Sequence, residues 1–256
     1  MTQRPVLRAT DPALWSGTAV YETLRSYDLR PFRLDAHLDR LGRSADWFGY
    51  AWDRADVARR LTELARADAA QKLNVLVTGE QTVVIAAPLD LARVGAPVRC
   101  ATTPLVHTPG LPAFVKHCSR APGELAARAA AQRLGEPIDE VIWQDDRGCW
   151  TEANRSNLIA VRDGAVWTPA NDGRILEGVT RAWVLEAARA LGSATHEAEV
   201  RADEPWDELY VCSTLKELAP VERLNGRAAP GAGPIGRRIA ASMTALRGAD
   251  TARPYR

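Results

Sequence analysis

The sequence predicts a mixed α/β protein, α+β in the way its elements segregate, made of two domains. Three observations predict it. Residues 1–89 read as strand, strand, helix, helix, strand, strand. Periodicity then lapses over 90–96, which reads as a linker. Residues 97–256 resume with a strand and a helix, and 141–181 follow as two short hairpins, a loop and a helix start. Segregated strands and helices in the first part and a hairpin-rich second part point to two packed cores.

In the first domain, residues 1–18 read as irregular, with Pro5 and Pro12 as breakers. Residues 18–27 (TAVYETLRSY) alternate like a strand, and Asp28–Pro31 reads as a turn leading to a short return strand at 32–34. Asp35 is the expected N-cap of a helix that puts Leu38, Leu41, Ala45 and Phe48 on one face and stops at Gly49. A second helix starts at Asp53 and aligns Val57, Leu61 and Leu64. Strands over 72–78 and 82–89 close the domain around a Gly79–Gln81 turn.

The second domain opens with a strand over 97–104 and a loop from His107 to Pro112 that leads to Val115-Lys116. Pro122 suits the first turn of a helix that ends at Leu134 before Gly135. Asp146-Arg147-Gly148 and Asp163-Gly164 are turn signals between apolar runs. Gly178-Val179-Thr180 opens a helix with Trp183, Val184, Ala187, Ala188 and Leu191 inward. Strands near 195–200, 207–213 and 218–224 and a helix over 235–246 complete the chain.

Bulk composition excludes several classes. A net charge of +1 offers nothing to nucleic acid or an anionic membrane surface. No apolar run approaches the roughly 18–20 residues that span a bilayer, and the N-terminus lacks a signal-peptide shape, so the expectation is a cytoplasmic protein. The four cysteines form no CxxC pair, which fits reduced thiols. Of 33 basic residues only Lys72, Lys116 and Lys216 are lysines, so any lysine chemistry has three candidates.

Lys116 is the best placed of the three, between the apolar run PAFV and His117-Cys118, because an imine-forming lysine needs partial desolvation. Lys72 begins a strand beside a polar helix end, and Lys216 adjoins an acid. Glu152 sits on a strand before Ala153-Asn154, where a lone acid is ordinarily a solvated edge residue. Gly178-Val179-Thr180 offers helix-start amides and a hydroxyl suited to an anion. Arg40 can act as a two-pronged anion donor, and Ser213-Thr214 can add hydroxyls. His107, His117 and Cys118 match no zinc spacing, and no P-loop or G-x-G-x-x-G is present.

In this order, the pieces resemble the class IV aminotransferase family, the fold-type IV enzymes of pyridoxal 5′-phosphate (PLP) that include branched-chain and D-amino-acid aminotransferases and aminodeoxychorismate lyase. The carriers are YETLRSY with PFRLDAHLDRLGRSA, VKHCSR, TEANRSNLIAV, LEGVTR and CSTLKELAPV, spread from about Tyr21 to Leu246. The resemblance implies two domains with PLP in the cleft between them, and homodimers whose partner subunit helps close the site. It implies Lys116 as the Schiff-base lysine, which also moves a proton between the substrate carbon and the cofactor. It implies Glu152 beside the pyridine nitrogen, where a carboxylate keeps the ring an electron sink. Arg40, Gly178, Val179, Thr180, Ser213 and Thr214 are the implied phosphate contacts, and Tyr21 lines the substrate site. The reaction implied is amino transfer between a small amino acid or amine and a 2-oxo acid, with no metal.

Two departures bear on the substrate. Ser16-Gly17-Thr18-Ala19 stands where many relatives have a glycine-aspartate-glycine run. Glu80 follows Gly79 where many carry an Arg-Gly pair that takes part in carboxylate recognition. A glutamate repels a carboxylate, which leaves Arg25 or Arg120 as alternative holders. Arg120 also matches the second residue of an Asn-Arg pair common in lyase relatives, so 4-amino-4-deoxychorismate lyase is the alternative activity; another PLP reaction, or a relative without catalysis, is also compatible with the sequence.

Overall fold

A computed structural model of the chain describes residues 7–66, 70–105 and 111–251. Pro5 and the His107–Gly110 part of the expected loop lie outside these. The chain divides into two compact units: Met1–Leu91 with Phe114–Ser119 and Ala249–Arg256, and Ala92–Ala113 with Arg120–Gly248. Phe114–Ser119 therefore belongs with the first unit although the sequence puts it beyond the linker.

The first unit contains α1 (Pro12–Ser16), β1 (Val20–Tyr27), β2 (Arg30–Pro31), α2 (Leu34–Phe48), α3 (Arg54–Ala65), β3 (Gln71–Val77) and β4 (Thr82–Pro88). The strands form an antiparallel sheet in the order β2-β1-β3-β4. Leu38, Leu41 and Ala45 of α2 and Val57, Leu61 and Ala65 of α3 are buried, and α2 lies against β1, α3 against β3 and β4. Removing these side chains from water drives the docking, since each contributes about 1.5–3 kcal/mol for a leucine-sized group.

Three local expectations differ from the fold. Pro12 opens a helix rather than breaking the chain, because Asp11 caps it by accepting from the Ala13 amide at 2.9 Å. The return strand is Arg30–Pro31, not 32–34, because Asp28 and Leu29 both take positive φ (49° and 64°) and close a two-residue hairpin. The helix then begins at Leu34, with Arg33 in the left-handed region as its N-cap and Asp35 inside the first turn.

The second unit contains β5 (Val98–Pro104), α4 (Ala121–Leu134), β6 (Glu140–Gln144), β7 (Cys149–Ala153), β8 (Asn157–Arg162), β9 (Ala165–Thr168), α5 (Val179–Ala190), β10 (Thr195–Glu197), β11 (Val200–Arg201), β12 (Glu208–Ser213), β13 (Glu217–Leu224), β14 (Arg227–Ala228) and α6 (Pro234–Thr251). The strand path is β10-β9-β8-β12-β13-β5-β6-β7-β11, with β14 on β13. β7 also pairs with β8 at Glu152↔Asn157. That pairing closes β8, β12, β13, β5, β6 and β7 into a ring. One apolar cluster draws on all six: Cys100, Ile142, Trp150, Leu158, Leu209 and Ala219 are among its members. On the opposite parity, Ala101 and Val141 pack with Ala127 and Ala130 of α4, which is the crossover between the parallel strands β5 and β6.

The start of α6 is held from β12. The Glu208 carboxylate accepts from the amides of Ile235 (2.8 Å) and Gly236 (2.7 Å), and the Tyr210 hydroxyl donates to it at 2.6 Å. Here an acid from another element caps the positive helix end. A Cβ on Gly236 would fall 2.0 Å from the Tyr210 hydroxyl oxygen. Gly236→Ala is therefore expected to destabilise the fold by about 1–3 kcal/mol through forced displacement of Tyr210; an unchanged urea midpoint would refute this.

Among the described residues no helix is long and apolar enough to cross a membrane. None of the four cysteines is in a disulfide, and burial pushes Cys212 up to about 12. No group of His, Cys, Asp and Glu among the described residues could hold a metal ion; His107 lies outside them.

Candidate active site

In the first unit the segment around Lys116 adds itself to the edge of β1. The Tyr21 amide donates to the Lys116 carbonyl at 3.0 Å, and the Cys118 amide to the Ala19 carbonyl at 2.8 Å, flanking a Val20↔His117 bridge. This pairing brings a lysine 95 residues downstream against Tyr21. Lys116 Nζ lies 4.7 Å from the centroid of the Tyr21 ring, whose π-face attracts a cation. Lys116 itself is half-buried. Of the three lysines, Lys216 is paired with the buried carboxylate of Glu140, which removes it from contention as a reactive amine.

Behind Lys116 lies a buried ionic group. Glu22 is fully buried on β1 and accepts from Arg40 Nε (2.6 Å) and Nη2 (2.9 Å), while His37 Nδ1 is 2.8 Å from the same carboxylate. Burial opposes ionisation of Glu22, but the charge and hydrogen bonds of Arg40, with those of His37, outweigh it and hold its carboxyl well below the usual range. His37 is lowered by burial, against Glu22 and with help from Arg40 and Lys116. Burial and then the charge of Lys116 lower His117.

In the second unit Glu152 stands at the pairing that closes the strand ring. Its Oε2 accepts from Asn157 Nδ2 (3.1 Å) and from the Leu176 amide (3.0 Å). Asn157 Nδ2 also donates to the Leu176 carbonyl at 2.9 Å. Two donors on one oxygen fix the orientation of the carboxyl group. α5 starts at Val179 behind Gly178, and no side chain caps it. First-turn amides without a side-chain cap, at the positive end of the macrodipole, suit an anion. Thr180 is buried in that first turn. Ser213 ends β12, and Thr214 lies in the turn to β13.

Asn157 joins the two features. A Cβ on Gly178 would fall 1.8 Å from Asn157 Oδ1, so the helix start approaches the side chain that orients Glu152 as closely as glycine allows. Gly178→Ala is expected to push Asn157 off Glu152 and to weaken PLP binding about tenfold or more. Spectroscopic titration of the cofactor against wild type measures it, and equal affinity would refute the coupling.

Of the residues expected from sequence, Lys116 and Tyr21 meet in the first unit, with Arg40 tied in through Glu22. Glu152 and Gly178 meet in the second. Arg25 lies four residues along β1 from Tyr21, about 13 Å at strand rise, with its guanidinium carbon 4.2 Å above the Tyr27 ring. Arg120 is the N-cap residue of α4, 3.4 Å from Glu124. Glu80 is exposed in the β3–β4 turn, where Thr78 (2.6 Å) and Gln81 (3.2 Å) both donate to buried Asp11.

Sequence reasoning missed Glu22, His37 and Asn157. For Glu22 a signal existed: it occupies the inward parity of β1, between Val20 and Leu24, and an acid at such a position needs a buried cation. Arg181 was also left unassigned. It is buried and donates to Thr168 Oγ1 (3.0 Å), to the Pro169 carbonyl (2.8 Å) and to Glu197 (2.8 Å), bracing the start of α5.

The donor set fits a PLP-like molecule. In the first unit an amine beside an aromatic ring suits an aldehyde; in the second a fixed carboxylate and a helix start that only glycine permits suit a pyridine nitrogen and a phosphate. The Amino-transferase class IV family profile matches residues 19–224. A protein of Thermotoga maritima named a probable branched-chain-amino-acid aminotransferase is 30% identical over 219 residues, 81% of this chain and 77% of that protein. A hypothetical aminotransferase of Mycobacterium tuberculosis is structurally similar (TM-score 0.83, 25% identity, 98% and 96% of the two chains covered). It has been solved PLP-bound and with α-ketoglutarate and PMP. A protein of Legionella pneumophila assigned as a 4-amino-4-deoxychorismate lyase shares the fold (TM-score 0.82, 95% and 96% covered) at 18% identity.

Proposed function

The chain belongs to the class IV aminotransferase family and is a PLP-dependent aminotransferase, and from that premise we propose how its residues divide the work. The bound cofactor supplies an electron sink for the carbanion formed at the substrate carbon. Lys116 Nζ would hold the cofactor's aldehyde carbon and, as a free amine, would carry a proton at the substrate α-carbon. Glu152, oriented by Asn157 and the Leu176 amide, would keep a proton on the pyridine nitrogen. Arg40, Gly178, Val179, Thr180, Ser213 and Thr214 bind the phosphate and so orient the ring. Tyr21, Arg25 and Arg120 serve the substrate, Tyr21 as a wall beside the lysine.

The observation that carries this reading is the shared anchor Asn157, which ties a fixed carboxylate to an uncapped helix start in one unit. The substrates are a small amino acid or amine as donor and a 2-oxo acid as acceptor. Exposed Glu80 in the β3–β4 turn favours a donor with an apolar side chain over one with a second carboxylate, which it would repel. A cytoplasmic homodimer is part of the proposal.

The test incubates the PLP-loaded protein with branched-chain L-amino acids, D-alanine and simple amines, following conversion of the cofactor to its amine form, and assays aminodeoxychorismate for pyruvate release. Conversion with at least one donor, reversed by a 2-oxo acid, is expected. Pyruvate release without lasting conversion by any donor would replace amino transfer with the lyase reaction. A single sedimentation species at twice the chain mass supports the homodimer; a monomer active at the same specific rate contradicts it.

A further inference from the structure

We propose that Ser44 is a positioning residue that sets where the Lys116 amine leaves the sheet; the inference rests on the assignment of Lys116 given above. Ser44 is fully buried on α2, one helical turn after Arg40. Its hydroxyl donates to the Arg40 carbonyl at 3.0 Å, the usual back-bond of a helical serine. A hydroxyl has one proton but two lone pairs, so it can also accept. It accepts from the Lys116 backbone N–H at 3.0 Å.

That second bond departs from what the sheet alone would give. The Lys116 carbonyl already takes the Tyr21 amide, and a regular antiparallel ladder would return the Lys116 amide to the Tyr21 carbonyl. Instead the amide goes to Ser44. The added edge strand is thus turned away from β1 at the lysine, and the direction of the turn is fixed by a hydroxyl on α2. One oxygen thereby couples the backbone that carries the amine to the helix turn that carries Arg40. A Schiff-base lysine must meet an aldehyde whose position depends in part on the phosphate contact assigned to Arg40, so the registry between Lys116 and Arg40 is what this hydroxyl controls.

The cofactor's two forms separate positioning of Lys116 from general stability. PLP bonds to Nζ through its aldehyde carbon, with loss of water, whereas PMP carries an amine there and does not. Dissociation constants of both are measured for wild type, Ser44→Ala, Ser44→Cys and Ser44→Thr. Amide exchange at Lys116 is measured in the cofactor-free proteins. Ser44→Ala is expected to weaken PLP about tenfold with PMP changed about threefold or less, and to speed Lys116 amide exchange. Ser44→Cys, close in volume but a weak acceptor, should behave likewise and serves if the alanine variant fails to fold. Ser44→Thr, which keeps the hydroxyl, should restore both readouts.

Equal weakening of PLP and PMP, or unchanged exchange at Lys116, overturns the proposal while leaving Lys116 as the anchor. Borohydride reduction of the wild-type complex followed by peptide mapping tests the anchor itself. A label absent from Lys116 would overturn that assignment and this inference with it.

Discussion

Lys116→Ala is expected to lower amino transfer by about four orders of magnitude or more, because one substitution removes both the covalent anchor and the proton carrier. The fold should survive it. Lys116 is half-buried, its backbone makes the bonds to Tyr21 and Ser44, and alanine keeps both. The variant should therefore bind PMP and melt close to wild type, yet leave no cofactor on the chain after borohydride. Lys216 cannot take over, since its amine is bound to buried Glu140 in the other unit. A variant that still fixes PLP covalently, or that retains a tenth of the wild-type rate, would refute the assignment. Added small amines are expected to restore part of the rate, because they can carry the proton that Lys116 no longer does.

The architecture was legible wherever periodicity was strong. Helices α2 to α5 and most strands fall where apolar spacing and glycine stops put them, because those signals reflect burial itself. The errors sit where local geometry overrode composition. The positive φ of Leu29 and Arg33 could not be read from residues that normally avoid that region, so the hairpin and the start of α2 shifted by one or two residues. The ring closure rests on one pairing, Glu152↔Asn157, between strands three residues apart in sequence, and no periodicity encodes it. The candidate residues Lys116, Glu152 and the glycine-led start of α5 are singled out by the family resemblance, since each alone has an ordinary structural reading. Their supports are not. Ser44 and Asn157 look like ordinary polar residues until the chain brings Lys116 and Gly178 against them. Phe114–Ser119 shows the limit most clearly, since its place is decided by edge pairing with β1, nearly a hundred residues upstream.

Glu22→Ala is expected to cost about 3–5 kcal/mol, the largest stability effect of any single change at the site, because it removes the buried carboxylate that takes two hydrogen bonds from the nearly buried Arg40 guanidinium. Glu22→Gln tests the charge separately from the shape, and its signature is the pH dependence. Glu22 has its folded-state pKa depressed, so the stability it confers is complete above its ordinary value of 4.5 and is lost as pH falls toward the folded value. His37 is depressed as well, so stability begins to fall below 6.5, where the unfolded chain takes up a proton that the buried ring resists. Below pH 6.5 both wild type and Glu22→Gln should lose stability through His37, the variant at least as steeply because the Glu22 charge favours the protonated ring. Below 4.5 the two should converge, since only the wild type loses the Glu22 contribution. Urea midpoints at pH 7.5, 5.5, 4 and 3 measure the gap, and a gap that stays constant down to pH 3 would refute the ionic account of this pair. The same loss loosens Arg40, so PLP and PMP should weaken together in Glu22→Gln. That common loss distinguishes a defect in the phosphate contact from a defect at Lys116, where only PLP is affected.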